Sequence, residues 1–329
     1  MIKYIEGIEE AKVSVIIPNY NHANYLPQRI ESVLQQTYPH FEILILDDYS
    51  LDNSRSIIES YVLKDSRISS VFNTENSGST FKQWSKGLSL TNGKYIWIAE
   101  SDDYADPTFL EKLVSRLETD PTVGLVYADS WYVYQDKKTI ERNPEFYKQM
   151  DATLWSKDFV LDGSTLITKF MSYSNIIPNA SAVVLRRATI EQVALPDGSW
   201  RLVGDWLYWT SIMAISRVAF VAEPLNYFRF HDNNVRSTKV KQGLALVEIL
   251  RLLVVIRKYG TPAAALFQKK LDECVDYWIH CLFNLRYKIP FSRHRELFYL
   301  LGKLDKNFKK NIWRKILSYG FYKVSGRIK

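Results

Sequence analysis

The 329-residue sequence has two cysteines, Cys274 and Cys281. They lie seven apart in a segment that reads as helix, so at about 1.5 Å per residue they stand about 10 Å apart, too far for a disulfide. A reducing compartment fits, and no Cys or His cluster has zinc-site spacing. Long apolar runs are missing as well. The longest, as in "LRLLVVIRK", is well short of the roughly 18 residues a membrane span requires. The opening "MIKYIEGIEEAKVSV" carries acidic residues and no signal-like apolar stretch, so the expected location is the cytoplasm. There is no GxGxxG after a strand, no GxxxxGK[ST] loop, no HExxH and no GxSxG. Dehydrogenase, P-loop and α/β-hydrolase readings lose their main support with them. Internal repeats and low-complexity segments are absent too.

What is present is a globular composition, 47% hydrophobic and 14% aromatic, with enough length to bury a large core. Net charge is +7 but unevenly spread. Positions 97 to 132 are acidic, while the tail "KLDKNFKKNIWRKILSYGFYKVSGRIK" is strongly basic and suggests an anionic partner. In the first 130 residues, "VSVII", "EILIL" and "YIWIA" suit buried strands, and "ISSVF" and "VGLVYA" are weaker examples. Helical patterns alternate with them: Leu26, Ile30, Val33 and Leu34 share a face, as do Phe109, Leu113, Val114 and Leu117. This alternation predicts an α/β fold with a mostly parallel sheet, whose ligands bind beyond the carboxyl ends of the strands. From 150 to 235 the pattern is mixed, with strands at "SAVVLRR" and "VAFV" and a helix at "DWLYWTSIMAIS". After about 240 it reads as helices.

The candidate chemistry is acidic. Asp47 and Asp48 end one strand, and Glu100, Asp102 and Asp103 follow another. Asp106, before Pro107, and Asp52 read as turn or helix-cap residues. Three carboxylates packed together repel one another unless a cation sits among them, and oxygen ligands of this kind suit Mg²⁺ or Mn²⁺ shared with substrate phosphates.

The run "VSVIIPNYNHANYLPQRIESVLQQTYPHFEILILDDYSLDNS" resembles the opening of the family 2 glycosyltransferases, the inverting group with the GT-A fold. "NSGS", "NGKYIWIAESDDYADP" and "NASAVVLRR" extend the likeness over roughly the first 235 residues. The resemblance implies a GT-A domain over 1–235, with a nucleotide-sugar half to about 130 and an acceptor half over 131–235, followed by a helical region over 236–329. It also implies a nucleotide-sugar donor, most often a UDP sugar in this family, and a Mn²⁺ or Mg²⁺ ion. Pro18, Asn19 and Tyr20 match the loop beside the nucleoside, and Asp48 the residue that holds the base. Asp102 and Asp103 match the metal-binding DXD-type motif, with Asp103 as direct ligand and Asp102 nearer the ribose. Lys82 falls where a donor contact is sometimes placed, though a lone Lys on a helix is usually solvated.

Inverting transfer needs a carboxylate to take the acceptor's proton. The resemblance puts it at Asp205 in "LVGDWLYWT", where many relatives have Glu in place of Gly204; helix capping is the alternative. His231, with Arg229 and Arg236, reads equally as a diphosphate or metal contact or as an ordinary residue. Asp129 and Trp131, beside Tyr127 and Ser130, are expected on the acceptor side. The tail reads as a helix with Phe308, Ile312, Trp313, Ile316 and Leu317 on one broad face. Either it lies on the inner surface of the cell membrane or it packs on the catalytic domain. No nucleic-acid motif is present, and an oligomer is compatible with the sequence. These readings add up to a metal-dependent inverting glycosyltransferase acting on a glycan or lipid-linked glycan in surface polysaccharide synthesis. The rivals are a nucleotidyltransferase, whose basic glycine-rich loop "IPNYNHANYL" lacks, and a non-catalytic glycan-binding scaffold on the same fold.

Overall fold

The computed structural model describes residues 12–134, 139–142, 144–197, 199–230, 243–284 and 287–324. The chain divides into two compact units, one of Met1–Gly163, Ile177–Ser199 and Ser211–His231, the other of Ser164–Ile176, Trp200–Thr210 and Asp232–Lys329.

The first unit is built on one sheet. Its strands are β1 (Val13–Asn19), β2 (Phe41–Asp47), β3 (Ile68–Phe72), β4 (Tyr95–Ile98), β5 (Tyr104–Ala105), β6 (Val123–Tyr134), β7 (Thr139–Arg142), β8 (Phe159–Asp162), β9 (Val183–Arg186) and β10 (Arg217–Phe230). The order is β3-β2-β1-β4-β9-β6-β10-β5, with β7 on β6 and β8 on β10. Pairing is parallel among β1 to β4 and between β6 and β10. β9 runs antiparallel to both β4 and β6.

All seven residues of β1 are buried because helices cover both faces. On one face Val13, Val15 and Ile17 join Leu26, Ile30 and Val33 of α1 (Leu26–Leu34) and Phe109, Leu113 and Leu117 of α4 (Phe109–Thr119). On the other, α3 (Thr80–Leu90) comes close enough that a Cβ on Gly87 would stand 2.5 Å from Ile16 Cγ2; α2 is Ser54–Val62. Parallel pairing puts the carboxyl ends of β1, β2 and β4 on one edge, where the acidic loops of the sequence emerge.

β6 and β10 are longer than their apolar runs suggest. β10 passes Pro224 through register shifts and continues to Phe230, since a bulge tolerates a proline that a regular ladder would not.

Three short helices, α5 (Pro144–Lys148), α6 (Gly163–Leu166) and α7 (Arg187–Ile190), precede α8 (Gly204–Met213). The second unit is mainly helical: α9 (Leu244–Ile256), α10 (Ala264–Leu282), α11 (Phe291–Leu304) and α12 (Phe308–Val324). α9 and α11 are joined by the Arg251–Glu296 pair at 2.5 Å, and α10 and α12 by Lys315 Nζ, 2.9 Å from both Asp272 and Asp276. Cys274 and Cys281 are buried free thiols. Among the described residues no helix is long and apolar enough to cross a membrane.

Candidate active site

The loops after β1 and β2 are fastened to each other. Asn21 N–H donates to Ser50 Oγ (2.9 Å), Leu51 N–H to Asn21 Oδ1 (2.7 Å) and Ala23 N–H to Asp52 Oδ2 (2.8 Å). Asp52 also accepts from Ser54 N–H at the start of α2, so it both opens the helix and ties the loops. Asn21 (φ 56°) and Tyr49 (φ 67°) hold left-handed backbone, a costly conformation for Tyr that tends to mark a functional loop. Tyr20 and Tyr49 stand 44% and 49% exposed on this paired rim.

Beneath the rim Pro18, Asn19 and Asp48, three of the expected nucleoside residues, are buried. Pro18 and Asn19 end β1, opposite Leu46 and Asp47. Asn19 Nδ2 donates to Asp47 Oδ2 (2.8 Å), while its buried Oδ1 has no hydrogen-bond partner among the described residues. Asp48 accepts from Asn73 Nδ2 (2.6 Å), Gln83 Nε2 (2.8 Å), Ser77 N–H (2.9 Å) and Ser77 Oγ (2.8 Å). It therefore organises the "NSGS" turn, where Gly78 takes φ +66°. Lys82, exposed in the first turn of α3, reaches Ser77 O at 3.3 Å.

The Glu100–Asp103 loop follows β4 at the same edge. Asp103 is only 1% exposed and both its oxygens are engaged: Oδ2 accepts from Asn179 Nδ2 (2.8 Å) and Ser181 Oγ (2.7 Å), Oδ1 from Arg229 N–H (2.9 Å). Glu100 and Asp102 are half-buried. Glu100 Oε1 accepts from Trp84 Nε1 at 3.0 Å, and its backbone N–H donates to Ser181 Oγ. Arg29 of α1 is fully buried, with Nε donating to Glu100 O (2.9 Å), its guanidinium 5.5 Å from the Trp97 ring, and both terminal nitrogens lacking a hydrogen-bond partner among the described residues. Arg229 donates to Asp102 O and, at 2.5 Å, to Gln28 Oε1, and its guanidinium lies over the Tyr25 and Tyr104 rings.

This crowding governs protonation. Burial, with Asp102 adding to it, pushes the Glu100 carboxyl up to about 8, against the Trp84 N–H and Arg29. Burial and Asp102 also raise Asp103, against Arg29 and the Arg229 and Asn179 donors. Desolvation lowers Arg29 to about 10, despite the pull of Asp103, Asp102 and Glu100, so it remains a cation at neutral pH. Between about 4.5 and about 8, folded Glu100 keeps a proton that the unfolded chain has released. Stability in EDTA is therefore expected to fall as pH rises through that window. Melting temperatures from pH 5 to 9 should decline more steeply in the parent than in Glu100→Gln, and parallel curves would reject the assignment.

Asp205 occupies the first turn of α8 and accepts from Asn175 Nδ2 at 3.4 Å. The loop before it is clamped by fully buried Glu248 of α9, which accepts from the backbone N–H groups of Arg201 (2.9 Å), Leu202 (2.9 Å) and Val203 (3.0 Å). On the expected acceptor side, Tyr127 is core, bonded to Trp155 Nε1 at 2.7 Å. Asp129 is paired with Arg142, Ser130 accepts from Asn226, and Trp131 is half-buried in β6. His231 and Arg236 lie outside the described residues.

Among the described residues no three His, Cys, Asp or Glu converge to hold a metal alone. One or two carboxylates are nevertheless the usual protein share for Mg²⁺ bound with substrate phosphates, and Asp102 and Glu100 fit that share.

A mostly parallel sheet with carboxylates beyond its strand ends defines an α/β protein whose ligand crevice lies at that edge. Residues 14–176 match the family described as glycosyl transferase family 2, and the chain is a glycosyltransferase of that family. It is 28% identical over 234 residues, 70% of this chain and 83% of the relative, to the putative teichuronic acid biosynthesis glycosyltransferase TuaG of Bacillus subtilis. The fold is shared with S. aureus TarS in complex with UDP-GlcNAc (TM-score 0.63, 17% identity, 89% of this chain and 80% of that one). It is shared also with the mannosyltransferase PcManGT of Pyrobaculum calidifontis in complex with GDP-Man and Mn²⁺ (TM-score 0.55, 14% identity, 96% and 88%). The family decides for a glycosyltransferase over the nucleotidyltransferase and scaffold alternatives.

Proposed function

We propose that the protein moves a sugar from a nucleotide-sugar donor, with UDP the favoured nucleotide, to a glycan or lipid-linked glycan with inversion at the anomeric carbon. The setting is surface polysaccharide synthesis at the inner face of the cell membrane, in keeping with the putative teichuronic acid biosynthesis role of TuaG. The observation that carries the reading is the division of work within the Glu100–Asp103 loop. Asp103, the ligand the motif suggests, has both oxygens bonded within the fold. In this reading Asp102 takes the first metal contact, with Glu100 joining once its proton leaves, and Asp103 holds the loop in shape. A Mn²⁺ or Mg²⁺ ion there would offset the charge that builds on the departing diphosphate. Exposed Tyr20 and Tyr49 flank the nucleobase, Asn19 and Asp48 shape the floor beneath it, and Lys82 stands near the phosphates. Trp131 offers an apolar face to an acceptor sugar, and Asp205 receives the acceptor's proton.

Thermal shift with UDP, GDP, CDP and dTDP, each with Mn²⁺ or EDTA, tests the donor site. One nucleotide with Mn²⁺ should stabilise the parent by about 2.7 kcal/mol at a hundredfold excess over Kd, with little effect on Asp102→Asn. A shift that is equal in the variant, or unchanged by EDTA, would remove the metal site.

A further inference from the structure

We infer that the outward face of α12 and the adjoining face of α11 form a docking surface for an anionic lipid bilayer. The single broad apolar face expected for this segment is divided in the structure. Phe308 and Ile312 are buried; Phe308 meets Trp278 of α10 (ring centroids 6.4 Å) and Phe298 of α11 (5.2 Å). Lys315, paired with Asp272 and Asp276, and Tyr319, 2.9 Å from His280 Nδ1, belong to the same packed side.

Trp313 and Leu317 do not. They are 67% and 73% exposed and, four residues apart, stack on one side of the helix. Lys306, Lys309, Lys310 and Arg314 are exposed around them and make no ion pair among the described residues. α12 contains no acidic residue. A Trp and a Leu at the centre of a cationic arc is the pattern of a helix lying in a membrane interface, where the indole sits at headgroup depth and basic side chains meet anionic lipid.

α11 continues the surface. Phe291, Arg295 and Tyr299 are exposed at four-residue intervals on one side of it. The two faces meet at Gly302, where a Cβ would stand 3.8 Å from Lys309 Cε. Charge selects the occupant. A second copy presenting the same face would set unpaired cations against cations, whereas an anionic leaflet neutralises them.

The test is co-sedimentation of the full chain with vesicles of phosphatidylcholine alone or mixed with phosphatidylglycerol. The parent should bind the anionic vesicles and release in high salt. Lys309→Ala/Arg314→Ala should lower partitioning roughly twenty-fivefold, at about fivefold for each basic residue. Trp313→Ala/Leu317→Ala should release the protein at unchanged melting temperature; should that variant fail to fold, the charge variant decides alone. Binding no stronger to anionic than to neutral vesicles, or unaffected by the charge variant, overturns the proposal. So does a concentration-dependent dimer that Trp313→Ala/Leu317→Ala abolishes in a protein that ignores vesicles, since the face would then be an interface between copies.

Discussion

Replacing Arg29 by Met should cost roughly 3–5 kcal/mol of stability, the usual penalty for leaving buried charge without its partner. Arg29 is fully buried, and the charges it senses most are those of Asp103, Asp102 and Glu100. It is the resident counter-ion of the loop, set against Asp102 and Asp103 beside a Glu100 carboxyl that burial pushes up to about 8. Met matches the stem but supplies no charge. At about 2–4 °C per kcal/mol for chains approaching this size, the melting temperature should fall on the order of 10 °C. Arg29→Lys should recover only part of the loss, because an ammonium lacks the planar fork that reaches Glu100 O and lies on Trp97. Mn²⁺ should raise the melting temperature of Arg29→Met more than that of the parent, since a cation is then missing from the loop. A variant melting within about 2 °C of the parent, under 1 kcal/mol on the same scale, would deny Arg29 this role.

Asp205→Asn should lower kcat by about 10²–10⁴, the range of general base catalysis, and leave the donor KM near its parent value. Asn keeps an oxygen to accept from Asn175 but cannot take a proton. The acid limb of the kcat–pH profile should disappear in the variant, which a purely structural contribution would not produce. A loss below tenfold with the limb retained would return Asp205 to helix capping.

The strands and acidic loops were legible because they depend on neighbours in sequence. "VSVII", "EILIL" and "YIWIA" are β-branched or aromatic runs, and they form β1, β2 and β4. Asp106 likewise accepts from Thr108 N–H at the start of α4, as its place before Pro107 suggests. The partners of Asp103 were not legible: Asn179, Ser181 and Arg229 arrive from 76 to 126 residues away. Only tertiary structure could show that its oxygens were taken. Arg29 left a trace in the sequence, since it shares an i, i+3, i+4 row with Leu26, Ile30 and Val33, and a lone cation on an apolar stripe needs a buried partner. The tail misled for the opposite reason. Helical periodicity gathers Phe308, Ile312, Trp313 and Leu317 into one arc, but α10 and α11 cover only the side that carries Phe308 and Ile312.

Glu248 gives the amino end of α8 a property of its own. Three successive backbone N–H groups ahead of a helix form an anion receptor, the sort of cradle that elsewhere collects phosphate. In this protein a carboxylate from α9 already fills it. A stray phosphate finds that receptor closed, and Asp205 is spared a competing anion at the foot of its helix.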